Sequence, residues 1–373
     1  MMNEWISRPL LLLCYLFTLF FWLNLFRSVN GQESLDNIHH YTIEFQCRMG
    51  NLMFQYAALL GICHKNQAKN EDCAVICNSN FYEIETPIKE FVSIFNLSTH
   101  QSKEKTFKFK NKYREHPEDW DAIKYDNNVY KQPSGTKFIG YFQSWKYFHP
   151  HLSEKIKNIY KFPNDIEDRS KKIIESIHYN ITSMLPNKKP SLQNEKINNN
   201  YKIVGIHFRL GDKLNNKFYD QYSVSKEYFL RAISLIQQRY NVKKLIYLFF
   251  IGGGLDKKTS LRDELWVKQN LAIRLNNVFY ESSGNHIIAM RSLSLCDIII
   301  AGQSSYSWWA AYLSNTLEVI FPRHMFGKLK IDSKEPFFEY ENYFLPWWTL
   351  LSSNQSEDRI IGYNPNNTFY RMK

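Results

Sequence analysis

The chain has 373 residues, 44% of them hydrophobic and 16% aromatic, which excludes an intrinsically disordered polypeptide and is enough for two domains of ordinary size. Its formal net charge of +11 points to an anionic partner: nucleic acid, a membrane surface or a phosphate-bearing small molecule. Composition alone does not choose among the three.

The first element is an apolar run, Leu10 to Phe26, bounded by Arg8 and Arg27, with only Thr18 and Asn24 as clearly polar residues. Its length is at the short end of the roughly 17–25 residues that cross a bilayer. The expected organisation is a cytoplasmic tail (1–9), a transmembrane signal-anchor (10–26) and a polar stem (27–40). A cleaved signal peptide is the alternative, with a poor small-residue site near Val29-Asn30-Gly31. Sequons at Asn96, Asn180, Asn354 and Asn366 all follow the run and favour a lumenal, glycosylated body. Cys47, Cys63, Cys73 and Cys77 cluster early, and an oxidising compartment admits one or two disulfides among them, with buried free thiols as the alternative. There is no CxxC pair, and no cluster of histidines has zinc-ligand spacing.

From Tyr41 the sequence turns structural. "YTIEFQC" alternates like a strand, "CRMGN" is a glycine turn, and "LMFQYAALLGICHK" reads as a buried helix, the opening of a Rossmann-like unit. Further strands are expected at 73–77 and 137–143, while 100–130 is charged, aromatic and unpatterned. Residues 183–201 have the composition of a linker, and a domain boundary is placed there, between an N-terminal domain (41–185) and a C-terminal one (200–350), with a tail at 351–373.

After the linker, strands at 202–208, 244–251, 277–281, 297–301 and 317–321 alternate with helices at 225–240, 261–274, 286–296 and 307–314. Phe229, Ala232, Ile233, Ile236 and Tyr240 form the apolar stripe of one helix, and Ser260 with Asp263 reads as a capping box at the start of another. Such alternation implies an α/β fold with a doubly wound parallel sheet and a ligand site at the carboxyl ends of its strands.

Three segments fall at those ends: His207–Asp212, Gly252–Gly254, and "AGQSSYSWWAAYL" (301–313). A helix start rich in serine offers backbone N–H groups and hydroxyls to an anion, and Arg209 projects toward it with a guanidinium that is costly to bury without a partner. The pair describes a diphosphate pocket. There is no GxxxxGK[ST], no GxGxxG after the first strand and no metal-binding carboxylate pair after a strand, so the positive charge comes from side chains and backbone.

The motifs "MGNLMFQYA" (49–57), "GYFQSWKYF" (140–148), "HFRLGD" (207–212) and "SSYSWWAAYLS" (304–314) resemble, in this order, those of the α-1,2-fucosyltransferases of glycosyltransferase family 11. The resemblance runs from about residue 45 to 350. It implies a GT-B arrangement of two Rossmann-like domains facing a cleft, the N-terminal one on the acceptor side and the C-terminal one binding GDP-fucose. It also implies metal-independent transfer with inversion, to a glycan hydroxyl such as the 2-OH of galactose, and in animal members a single-pass type II protein of the Golgi membrane.

By the same resemblance Arg209 matches the first arginine of a His-x-Arg-Arg motif that contacts the donor diphosphate, and His207 lies toward the nucleoside. Ser304 and Ser305 match phosphate-binding serines, and Gly50 with Asn51 matches a loop that reaches the donor across the cleft. Asp212 closes the turn or acts as the acceptor base, for which Asp220 and Glu281 are further candidates. Trp308 and Trp309 read as packing under the site rather than sugar platforms. Two positions depart from the pattern: Leu210 replaces the second arginine, and Ala289 stands where an acidic residue recognises guanine. Another linkage or a protein acceptor is the alternative within the same superfamily, and a catalytically inactive glycan-binding membrane protein is the one those two departures leave open. Nucleic-acid binding is not expected, since Lys and Arg are scattered rather than gathered in one stripe; no oligomeric state is read from the sequence.

Overall fold

The computed structural model describes residues 39–67, 73–76, 86–97, 109–115, 124–183, 201–211, 226–252, 257–323 and 340–351. The apolar run Leu10–Phe26, Asp212, Asp220 and the sequons at Asn354 and Asn366 lie outside them. Among the described residues no helix is long and apolar enough to cross a membrane.

Two parallel sheets carry the chain. The first contains β1 (His39–Ile43), β2 (Cys73–Ile76), β3 (Asn111–Arg114) and β4 (Thr136–Ile139), in the order β2-β1-β4-β3. Helix α1 (Met49–Gln67) follows β1, and its side chains from Leu52 to Leu59 are all buried, with Gln55 the one polar residue among them. Helix α2 (Thr86–Ile94) follows β2, and α3 (Ser153–Ile159) and α4 (Asn164–Ser183) follow β4. The strand expected at 137–143 stops at Ile139, because Gly140 and Phe142 take φ of 153° and 50°, which no strand accommodates.

The second sheet has the order β10-β9-β8-β5-β6-β7, built from β5 (Lys202–Arg209), β6 (Leu245–Gly252), β7 (Val278–Tyr280), β8 (Ile298–Ile300), β9 (Glu318–Pro322) and β10 (Thr349–Leu351). Helices α5 (Lys226–Arg239), α6 (Lys257–Asn270), α7 (His286–Ser294), α8 (Ser305–Tyr312) and α9 (Tyr340–Tyr343) connect them. Every pairing in both sheets is parallel, so the α/β expectation holds. The alternation from 202 to 321 lies within a few residues of its sequence reading.

One local expectation fails. Helix α6 begins at Lys257, so Ser260 and Asp263 sit inside it and form no capping box. Asp263 is instead 1% exposed and serves a longer-range purpose described below.

Alternation along β5 divides its side chains between two cores. Val204, Ile206, Phe208 and Leu210 pack with Phe229, Ala232 and Ile236 of α5, while Ile203 belongs to the opposite core. On that opposite face Gly205 lies against Leu293 and Cys296, and His207 and Arg209 follow it toward the strand end. This second core is continuous with that of the first sheet: Phe54 and Phe148 pack on Trp308 and Trp309, with ring centroids 4.5 to 6.3 Å apart. Helix α4 precedes the polar stretch 183–201 yet lies against α7, where Arg291 grips Glu167 through Nε at 2.6 Å and Nη2 at 2.9 Å. That pairing holds the Glu167 carboxyl below its ordinary range.

Candidate functional site

In the second sheet the winding reverses between two adjacent strands, β5 and β8, and in the first β1 and β4 lie side by side at the centre. Residues just beyond such strand ends form the crevice in which open parallel sheets bind ligands. The four segments that leave these strands meet.

The loop after β1 enters α1 through Gly50 and Asn51; the loop after β8 enters α8 through Ser304 and Ser305. Ser304 caps α8, its hydroxyl accepting from the Tyr306 backbone N–H at 3.2 Å. The Ser305 hydroxyl donates to Asn51 Oδ1 at 2.6 Å, and Gln143 Nε2, from the loop after β4, donates to the same oxygen at 2.8 Å. Gly50 is required by proximity: a Cβ there would lie 2.5 Å from the Tyr306 backbone nitrogen and 2.7 Å from Ser305 Oγ. The Trp309 indole N–H donates to the Gly50 carbonyl at 3.0 Å, fastening the start of one helix to the body of the other. Two helix N-termini therefore abut. Their partial positive charges repel, and an anion at the junction offsets that repulsion.

The end of β5 joins them. A Cβ on Gly302 would lie 2.6 Å from the His207 carbonyl oxygen and 3.5 Å from Arg209 Cβ, so the two strand ends touch because residue 302 has no side chain. His207 is 4% exposed, and its ring stacks on Tyr306 with centroids 5.2 Å apart at 30°. Tyr306 is fixed in turn, since its hydroxyl donates to the His286 carbonyl. Gly50, Asn51, His207, Arg209, Ser304 and Ser305 are thus brought to one locality.

The remaining expected residues are placed as follows. Leu210 is fully buried among the side chains shared with α5, where a guanidinium would have to be desolvated. Ala289 is half-buried on α7. Glu281 accepts from the Ser283 backbone N–H at 2.8 Å and closes a turn. Trp308 and Trp309 are wholly buried and act as packing. Asn96 is exposed after α2, and Asn180 is exposed on α4. Cys63 is disulfide-bonded, whereas Cys47 and Cys296 are free thiols. No group of three or more metal-ligating side chains occurs among the described residues.

Three contributors escaped the sequence reading of roles. Gln143 lies within "GYFQSWKYF", where nothing local marks its side chain as reaching Asn51. Asp263 accepts from the Gly211 backbone N–H at 2.7 Å, and its neighbour Arg262 donates to the Gly211 carbonyl at 2.9 Å, so both polar groups of the residue that ends the Arg209 turn are clamped from α6. Glu115 is buried at the end of β3, and burial raises its carboxyl to about 8. An acid in the run "YREHPEDW" has the look of a solvated charge, and no local signal marks it as buried.

Comparison with known proteins agrees with the motifs. The galactoside 2-alpha-L-fucosyltransferase Sec1 of Mus musculus is 19% identical over 333 residues, covering 86% of this chain and 76% of that protein. Among solved structures, POFUT1 in complex with GDP-fucose aligns with a TM-score of 0.37 at 11% identity, covering 75% of this chain and 95% of its own. An Arabidopsis thaliana FUT1 mutant in complex with GDP aligns at 0.36 and 10% identity, over 76% of this chain and 69% of its own. These overall likenesses are distant, and the assignment rests on the family match alone. The model of glycosyl transferase family 11 matches residues 12–350, nearly the whole sequence, and the chain belongs to that family.

Proposed function

We propose that the protein transfers fucose from GDP-β-L-fucose to a glycan hydroxyl, the 2-OH of a galactose, in a single displacement that inverts the fucose anomeric carbon. The observation that carries this reading is the meeting of Asn51 and Ser305 between two helix N-termini, beside the strand end that bears Arg209. Family membership and the fucosyltransferase name of the mouse relative support it.

The chemistry follows from the parts. As the bond from the anomeric carbon to the β-phosphate oxygen lengthens, negative charge grows on the departing GDP. Arg209 offers a planar, permanently charged donor to that phosphate, and backbone N–H groups at the two helix starts add fixed dipoles; none of them moves a proton. Ser304 and Ser305 supply hydroxyls, and Gly50 permits a close backbone approach. His207, stacked on Tyr306, forms a flat wall suited to the nucleoside. A metal is not needed in this scheme, because the charge of the diphosphate is met by the chain itself. The acceptor hydroxyl must lose its proton as it attacks, and Asp212, three residues after Arg209 in the sequence, is the proposed base. The two sheets are read as the halves of a GT-B enzyme, held to the Golgi membrane by residues 10–26 with the body in the lumen and glycosylated at Asn96, Asn180, Asn354 and Asn366.

Incubating the full chain with GDP-fucose, EDTA and a panel of galactosides tests the reading. Release of GDP together with an α-1,2-linked fucoside is the expected outcome. Glycan binding without GDP release would instead identify a non-catalytic relative.

A further inference from the structure

Glu115 has no part in the transfer just proposed, yet it is 2% exposed and heavily engaged. Its Oε2 accepts from the Phe142 backbone N–H at 2.6 Å and its Oε1 from the Tyr147 hydroxyl at 3.3 Å. The backbone it holds would not adopt this shape unaided, since Phe142 has a φ of 50°, in the left-handed region that a bulky L-residue avoids. Gly140 is shaped to the same purpose: its φ is 153°, and a Cβ there would lie 2.6 Å from Glu115 Cβ. Two further bonds pin the loop, from Gln55 Nε2 to the Gly140 carbonyl at 2.9 Å and from the Ser144 hydroxyl to the Asn342 carbonyl at 2.7 Å. Between these fixed points lies Gln143, whose amide donates to Asn51 Oδ1, the oxygen that also receives the Ser305 hydroxyl.

We infer that Glu115 is a positioning residue for the transfer reaction: it forces the Gly140–Ser144 loop into the one conformation in which Gln143 holds Asn51 against Ser305. The path runs from β3 to the junction of both sheets through four side chains and one backbone N–H, with no direct contact between Glu115 and substrate. Because burial raises the carboxyl to about 8, the group is largely a neutral acid at pH 7, and its carbonyl oxygen is what the Phe142 N–H requires. Glutamine retains that oxygen; leucine does not.

The kinetic part of this inference rests on the proposed activity, and the experiment separates the two. Glu115→Leu is expected to lower kcat/KM for fucosyl transfer by about tenfold or more, Glu115→Gln to stay within about threefold of the parent at pH 7, and the double variant Glu115→Leu/Gln143→Ala to be no worse than the poorer single variant. Multiplying losses, or a Glu115→Leu enzyme as active as the parent, would overturn it. If Glu115→Leu does not fold, Glu115→Asp, which withdraws the carboxyl by one methylene, takes its place with the same expectations. Amide hydrogen exchange supplies a readout without substrate: peptides spanning 140–144 and 49–52 should exchange faster in the variant. Faster exchange there in a chain whose parent transfers no fucose refutes the functional reading and leaves the positioning role standing, whereas unchanged exchange refutes the positioning role.

Discussion

The Ser305 hydroxyl donates to the side-chain oxygen of Asn51 at 2.6 Å across 254 residues of sequence, and this bond ties the central strand ends of one sheet to those of the other. Asn51→Ala leaves both the serine hydroxyl and the Gln143 amide without their acceptor. A partly buried donor deprived of its partner costs about 1–3 kcal/mol. Fucosyl transfer should therefore fall roughly 5- to 100-fold. Steady-state kinetics at varied GDP-fucose, with calorimetry of GDP binding, checks this; unchanged constants would dissociate the junction from the donor.

Arg209→Lys tests the shape of the charge rather than its presence. Lysine keeps one positive charge but loses the planar fork with which a guanidinium can bind two phosphate oxygens at once. The expected loss in kcat is about 10²–10³-fold, the range seen when a single preorganised transition-state donor is removed. Single-turnover measurement of GDP formation separates this from weaker binding.

Asp263→Ala exposes no new surface but strips the Gly211 N–H of its acceptor and Arg262 of its partner. Since Gly211 has a φ of 46° and ends the turn after Arg209, the strand end should loosen. Stability is expected to fall by about 2–4 kcal/mol, with Asp263→Asn losing less because one acceptor oxygen remains. Urea titration of the three proteins provides the measurement.

Trp309→Phe preserves most of the ring contact while deleting the N–H that reaches the Gly50 carbonyl. It should cost about 1–2 kcal/mol, and Trp309→Ala about 3–5 kcal/mol through the cavity it opens. Because aromatic packing is shared by both sheets, circular dichroism and tryptophan fluorescence should report one unfolding transition in the parent and in both variants.

The pH dependence of stability carries the signature of Glu115. Its folded pKa, pushed up to about 8 by burial, exceeds the ordinary 4.5, so the fold binds a proton that the unfolded chain releases. The contribution is fully present below pH 4.5 and is lost as pH climbs through 8. The parent should thus lose stability between pH 5 and 8, relative to Glu115→Gln, by an amount on the order of a few kcal/mol. Denaturant midpoints of both proteins across that range test the sign.

Much of this architecture was legible in the residues. Burial on both faces made β6 an unbroken apolar run and kept β5 apolar from Ile203 to Ile206, and the alternation of β5 placed His207 and Arg209 on one face. What escaped was held by hydrogen bonds between residues far apart in sequence. Ser260 and Asp263 have the spacing of a helix cap, but α6 starts a turn earlier, and the aspartate is claimed by a backbone N–H 52 positions away. The stretch 137–143 reads as one strand, yet Glu115, buried just after β3, holds the backbone of Phe142 and the strand stops at Ile139. Periodicity records which side of an element meets the core; it does not record which polar group waits there.

The floor of stacked rings from Phe54, Phe148, Trp308 and Trp309 also restricts how such a protein can be rebuilt. A hinge would have to tear indole from phenyl, so the two halves stay joined. For the same reason neither half is a cassette. Grafting the C-terminal half of this chain onto a foreign N-terminal half would expose a bare aromatic face, and domain-swap chimeras should succeed only when α1 and α8 are exchanged together.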